Sequence, residues 1–332
     1  MPANTLLLRS ALRSAICIVA VTAAPLDAAQ PSAGKQYPAR PVRIVVPFAA
    51  GGGTDVVARQ IAAVLSERWE QQVVVDNRPG GSGTIGVDIV ARSTPDGYTL
   101  CMITASQTVD AAVNPKLPYD LVRDFEAISR LTSSFYLLNV TAGLPAKSLQ
   151  ELIAYAKANP GKLNFGSSGP GTLGHLSGEL FASMAGLKLV HVPYKGGSGT
   201  ATGLATGEIQ LAFVSPPASK PLLDSGRIRA LAITDSKRSP EFPQLPTVSE
   251  AASGYLVDQW YAVLAPKGTG TAMVRRLSAD FREAILSPRV AKTLAQSGLT
   301  AVGSTSEEAA RHIGAEIVKS RKLIAEGGLT LR

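Results

Sequence analysis

The sequence predicts an α/β protein of two lobes, each built on a largely parallel sheet, with the chain crossing between them twice. Three observations predict it. Units of strand, glycine-rich turn and helix recur in two separate blocks. The tail holds too little sheet to fold alone. About 300 residues remain once an export signal is set aside, enough for two cores.

In the first block, residues 42–47 read as a buried parallel strand and Gly51-Gly-Gly53 as a tight turn. Thr54 or Asp55 is expected to cap a helix reaching about Glu67, with Val57, Ile61, Val64 and Leu65 on one face. Residues 72–76 form the next strand and Asn77-Arg-Pro-Gly-Gly-Ser-Gly83 a loop. A helix over 85–92 and a strand over 98–103 follow. Strands alternating with helices of this length imply parallel βαβ units.

The second block opens with a strand over 135–140 and a helix from Pro145 to Ala158, stopped by Asn159-Pro-Gly161. A short strand at 163–165 leads through Gly166-Ser-Ser-Gly-Pro-Gly171 into a helix over 172–185. A strand at 189–192 leads through Tyr194-Lys-Gly-Gly-Ser198 into a helix ending near Thr206. Strands at 209–214 and 228–234 complete this sheet.

The tail reads as one strand, 260–264, and three helices, over 271–285, 287–297 and 306–326. It is expected to return and pack on the first lobe. Residues 30–136 plus 259–332 then form lobe 1 and residues 137–258 lobe 2. Two crossings, near Phe135 and Gln259, make a hinge, and a hinge between two lobes makes a cleft.

Residues 1–29 read as a cleaved export signal. Arg9 and Arg13 precede an apolar run over 15–24, and Ala28 and Ala29 suit signal peptidase. The run is shorter than the roughly 20 residues a spanning helix needs. Cys17 follows Ile16, where a lipoprotein signal wants a small residue. Without the signal, Cys101 is the sole cysteine, and its apolar neighbours make it a buried structural thiol.

The 33 Lys and Arg exceed the 25 Asp and Glu, for a net charge of +8 spread along the chain. Only 5% of residues are aromatic, so single-stranded nucleic acid would lack a stacking platform. A positive average potential still attracts anions.

The chemistry lies in the glycine-rich turns that join strand ends to helix starts, where parallel sheets bind ligands. First-turn N–H groups there have no helical partner, and with the helix dipole they favour an anion. Nucleotide readings fail on spacing: Val56 stands where a dinucleotide fingerprint needs its third glycine, and no phosphate-binding Gly-x-x-x-x-Gly-Lys motif occurs. Gly166-Ser-Ser-Gly169 does not match the serine-hydrolase elbow. His175, His191 and His312 stand apart, without metal-ligand spacing. No cofactor or metal is expected. His175 on a first turn either donates to a ligand or packs, and Lys195 is either a countercharge or a solvated surface lysine.

With these motifs laid out, the chain resembles the Bug-type solute receptors of the tripartite tricarboxylate transporter family from about Tyr37 to Ile324. The resemblance rests on an ordered series. It begins with Tyr37-Pro-x-Arg-Pro-Val-Arg-Ile-Val-Val-Pro-Phe48, Asp55-x-x-Ala-Arg59, Asn77-Arg-Pro-Gly-Gly-Ser-Gly83 and Pro95-Asp-Gly-Tyr-Thr-Leu100. It goes on with Leu163-Asn-Phe-Gly-Ser-Ser-Gly169, His191-Val-Pro-Tyr-Lys-Gly196, Gly226-Arg-Ile-Arg-Ala-Leu-Ala232, Leu245-Pro-Thr-Val-Ser-Glu250 and Ala265-Pro-Lys-Gly268. Gly199, Gly203 and Gln210 depart from the family pattern, and two acidic groups are lost with them.

The resemblance implies a periplasmic type II binding-protein fold whose lobes close on a small carboxylate held by main-chain amides, without catalysis. Phe48, Ala49, Gly51, Gly52, Thr54 and Asp55 would form one wall. Ser167, Ser168, Gly171, Thr172 and His175 would face them, with Tyr194, Gly196, Gly197 and Ser198 alongside. Thr104, Ser106 and Gln107 would edge the pocket, joined by Ser215. The protein would act as a monomer. It would deliver its ligand to membrane transporter subunits, or present it to a membrane-bound sensor. An exported enzyme is the remaining alternative, and it lacks a nucleophile–base pair.

Overall fold

The computed structural model describes residues 37–331, so the expected export signal lies outside the described residues. The chain runs β1 (Val42–Val46), α1 (Gly53–Trp69), β2 (Val73–Asn77), α2 (Thr84–Ala91), β3 (Thr99–Thr104), α3 (Ala105–Val113) and β4 (Phe125–Ser134). It continues through β5 (Leu137–Thr141), α4 (Leu149–Ala158), β6 (Leu163–Ser167), α5 (Leu173–Ala185), β7 (Leu189–Pro193) and α6 (Gly197–Thr206). After β8 (Leu211–Val214), α7 (Pro216–Asp224) and β9 (Ile228–Ile233) come β10 (Gln259–Pro266), α8 (Thr271–Leu286), α9 (Pro288–Ala295), β11 (Leu299–Ala301) and α10 (Ser306–Gly327).

These strands form two mixed sheets. The six-stranded sheet has the order β11-β4-β10-β3-β1-β2 and the five-stranded sheet β7-β6-β8-β5-β9. Each has a parallel half, β2-β1-β3 or β7-β6-β8, made by strand–turn–helix units. Antiparallel strands complete each sheet: β10, β4 and β11 in the larger one, β5 and β9 in the smaller. The chain passes to the smaller sheet between Ser134 and Leu137 and returns by Gln259.

The tail contributes β10 and β11 to the six-stranded sheet. Leu277, Phe281 and Ile285 of α8 bury against Ile44, Val57, Ile61 and Leu65 in one apolar cluster. A second cluster is continuous across both lobes, from Val87, Ile103 and Val109 to Leu173, Leu176 and Phe181. Cys101 is buried within it, and burial pushes its thiol pKa up.

Several elements depart from the sequence reading. The ten-residue β4 lacks a clean alternation because its pairing with β10 shifts register twice, between Tyr261 and Ala262 and between Val263 and Leu264. The sequence reading also passes over α3, α7 and the three-residue β11. Helix α4 begins at Leu149 rather than Pro145, because the Ser148 hydroxyl caps it by accepting from the Glu151 N–H at 3.2 Å. Helix α1 is capped by Gly52, with no side-chain bond, rather than by Thr54 or Asp55.

Candidate functional site

Between the sheets lies a cavity lined by Phe48, Gly52, Gly53, Thr54, Thr104, Ser106, Tyr136, Ser168, Gly197, Thr200, Phe213, Val214, Ser215, Gln259 and Tyr261. None of these side chains is charged. Four helix N-termini converge on it: α1 through Gly52, Gly53 and Thr54, α3 through Thr104, α6 through Gly197, and α7 through Ser215.

The four ends differ in what they offer. The Thr104 side chain and Gln107 form a capping box on α3, with Thr104 Oγ1 accepting from the Ser106 N–H at 3.0 Å. Helix α7 starts with Pro216 and Pro217, which have no N–H to give. Helices α1 and α6 have no side-chain cap, so their first-turn amides remain as donors. These two ends oppose each other. A Cβ placed on Gly52 would lie 3.8 Å from the backbone nitrogens of both Gly197 and Ser198. Two positive dipole ends and their amides thus face one uncharged space, which favours an anion without a cationic side chain.

Asp55 stays behind the turn. Its carboxylate accepts from the Gly51 N–H at 2.9 Å and pairs with Arg59 at 3.0 Å. Burial alone would raise its pKa, but hydrogen bonds from Arg59, Gly51 and Asn77 outweigh that and lower it. Asp55 therefore holds the glycine turn in shape, and Arg59 neutralises a charge that would otherwise oppose an anion.

The lobes meet across the cleft. The Ala49 N–H donates to the Lys195 carbonyl at 3.3 Å, and Ser82 Oγ–H donates to the Pro170 carbonyl at 2.7 Å. The Leu173 N–H donates to Ser106 Oγ at 3.1 Å. In this arrangement the cavity, its mouth included, has about 420 Å³ of empty space, of which the centre of a water molecule can occupy about 30 Å³. A cavity needs about 10–15 Å³ on this measure to hold one water, so the space is small but large enough for a small polar group.

Of the sequence-expected residues, Phe48, Gly52, Thr54, Thr104, Ser106, Ser168, Gly197 and Ser215 line the cavity. Ala49, Gly51, Gly196 and Ser198 frame it through backbone contacts. Gln107 fixes the start of α3 by accepting from the Thr104 N–H at 2.8 Å. Tyr194 lines a neighbouring chamber. Ser167, Gly171, Thr172 and His175 build the turn before α5, outside the cavity lining.

That turn is bonded internally. Thr172 Oγ1–H donates to the Gly169 carbonyl at 2.7 Å, and the Gly171 N–H donates to His175 Nδ1 at 3.2 Å. The His175 ring stacks on His191, with centroids 3.8 Å apart, and Ser167 Oγ lies 2.6 Å from His191 Nε2. His175 is buried in this stack.

The sequence reading missed Tyr136, Thr200, Phe213, Val214, Gln259 and Tyr261. Gln259 and Tyr261 stand two apart on β10 and so face the same side, a signal present in the sequence. Their placement beside the glycine turn needs the pairing of Tyr261 with Thr104. Gln259 is 2% exposed, and its amide oxygen has no hydrogen-bond partner among the described residues. Buried polar atoms are normally bonded, so this acceptor marks a place for a donor, an ordered water or a ligand hydroxyl.

Two α/β lobes with helix N-termini aimed into the cleft define a solute-binding protein of the two-lobed class. Residues 57–329 match the model of the tripartite tricarboxylate transporter family receptor, and the chain belongs to that family, with Bug-type relatives. It is 35% identical to protein BugT of Bordetella pertussis over 320 residues, 96% of this chain and 98% of that one. A protein of R. palustris solved with adipate superposes with a TM-score of 0.85 at 40% identity, covering 88% of this chain and 98% of its own. MatC of Rhodopseudomonas palustris, solved with bound malate, gives 0.83 at 29% identity, covering 87% of this chain and 100% of its own. Among the described residues, no helix is long and apolar enough to cross a membrane.

Proposed function

We propose that the protein is a periplasmic receptor that captures a small carboxylate in the cleft and delivers it to a membrane transporter, without chemical turnover. The observation that carries this reading is the pair of uncapped helix starts, α1 and α6, opposed across an uncharged cavity. A carboxylate there takes charge-assisted hydrogen bonds from backbone amides, each contributing about 1.5–3 kcal/mol. Three or four such bonds, less ordering costs, approach the ~8 kcal/mol of a micromolar complex.

The lobes on this reading are residues 30–136 plus 259–332 and residues 137–258, and they move about the two crossings. The adipate and malate held by the two structural relatives support the ligand class. Isothermal titration of ligand-depleted protein with mono-, di- and tricarboxylates tests it. At least one acid should bind with a micromolar or lower dissociation constant, and a series of neutral analogues of equal size should not. Equal affinity for the neutral analogues would refute the anion reading.

A further inference from the structure

The inner cavity has a neighbour. Phe48 and Ser168 belong both to it and to a second chamber between the lobes. The second chamber is closed on one side by the loop Gly80, Gly81, Ser82 and Gly83, and on the other by Gly169, Pro170, Pro193, Tyr194 and Lys195. On the measure that gives the inner cavity about 30 Å³, the outer one has about 290 Å³. The Ser82–Pro170 hydrogen bond fastens its roof to its floor.

The two spaces differ in chemistry as well as size. The inner one sets hydroxyls and helix-start amides among the rings of Phe48, Tyr136, Phe213 and Tyr261, and is tight enough for one anionic head. The outer one is walled by the rings of Phe48, Pro170, Pro193 and Tyr194, by glycine backbone and by Ser82 and Ser168, with the Ser82 hydroxyl bonded to the Pro170 carbonyl. Its single charged side chain is the exposed Lys195, at the rim. A compact acid bristling with hydroxyls and carboxylates would strand its polar groups against those rings, at a desolvation cost.

From this contrast we infer that the ligand has two parts: a carboxylate head in the inner cavity, and an apolar body, a methylene chain or a flat ring, that passes Phe48 into the outer chamber. The inference rests on the carboxylate reading above and narrows it. Phe48 and the outer chamber set the specificity, while the helix starts supply a generic hold on the head. Each methylene that enters the outer chamber removes apolar surface from water, and full burial strengthens binding about fourfold.

Calorimetric titration with acetate, butyrate, hexanoate, phenylacetate, malate and citrate tests this directly. Affinity should rise from acetate to hexanoate at least twofold per methylene, and phenylacetate should exceed malate and citrate. Pro193→Asp, at an exposed position, should weaken hexanoate and phenylacetate at least fivefold while leaving acetate within twofold. Thermal unfolding of the variant separates a fold defect from a binding one. Malate or citrate binding tightest, with no gain along the chain series, would overturn the two-part ligand and leave the carboxylate reading standing. No binding by any acid would remove both.

Discussion

The buried N–H of Leu173, the first residue of α5, donates to the hydroxyl oxygen of Ser106 on α3 at 3.1 Å. The two residues are 67 apart in sequence and lie on opposite sides of the cleft. Since Thr172 makes no side-chain cap on α5, the other lobe supplies an acceptor for that helix start. One lobe completes the secondary structure of the other.

Ser106→Ala should therefore loosen closure. It leaves a buried donor without an acceptor, a cost of about 1–3 kcal/mol. Hydrogen exchange at the Leu173 amide should accelerate, and ligand affinity should fall about tenfold. Unchanged exchange at Leu173 would show that the bond does not hold the lobes together.

Gly53→Ala should be far more damaging than an ordinary substitution in a helix first turn. A Cβ there would collide with Ser215 Oγ and the Tyr261 hydroxyl. Overpacking of this kind costs about 1–3 kcal/mol, visible as a drop in melting temperature together with loss of binding. Adding Tyr261→Phe removes one of the colliding atoms and should restore part of the melting temperature, a non-additive result expected of neighbours in contact.

Gly171 separates the fold from the cavity. It has φ of +70°, and a Cβ there would stand 3.2 Å from Asp110 Oδ1. Gly171→Ala should lower stability by about 1–2 kcal/mol even without ligand, through left-handed backbone strain. Gly171→Val should weaken the fold at least as much as it weakens ligand binding. Urea unfolding with and without ligand measures both. A large binding defect at full stability would place Gly171 in the ligand's direct contact.

The stacked histidines give the stability a pH dependence. Burial, then the neighbouring His175, lowers the His191 pKa to about 4. The unfolded chain accepts that proton near the ordinary histidine value, so it binds more protons than the folded chain in between. The contribution of His191 is fully present above about pH 6.5 and is lost as pH falls from there toward 4. His312, lowered to about 4 by burial, Arg130 and Lys319, adds a second contribution of the same sign. Chemical denaturation across this window should show the slope, and His191→Gln should reduce it by close to one proton. A slope unaffected by that change would mean His191 takes up its proton without cost.

Local pattern in the sequence determined a good deal. Strand–glycine–helix units follow from short apolar runs ending in Gly51-Gly-Gly53 or Gly166-Ser-Ser-Gly169, because chain chemistry within a dozen residues decides them. The placing of the glycine turns at strand ends, and with it the expectation of an anion at the helix starts after Gly53 and Gly171, belongs to the same level. So does the return of the tail, since its apolar helices needed a sheet they did not contain.

Only the tertiary structure decided which turns face one another. Three glycine-rich turns look alike in sequence, yet α1 and α6 oppose each other while the turn before α5 closes on His175, Ser106 and its own carbonyls. Gln259 and Tyr261 reach the cavity only because β10 inserts between β3 and β4 with Tyr261 opposite Thr104. Register between strands more than a hundred residues apart is set by packing of whole faces, and no local periodicity encodes it.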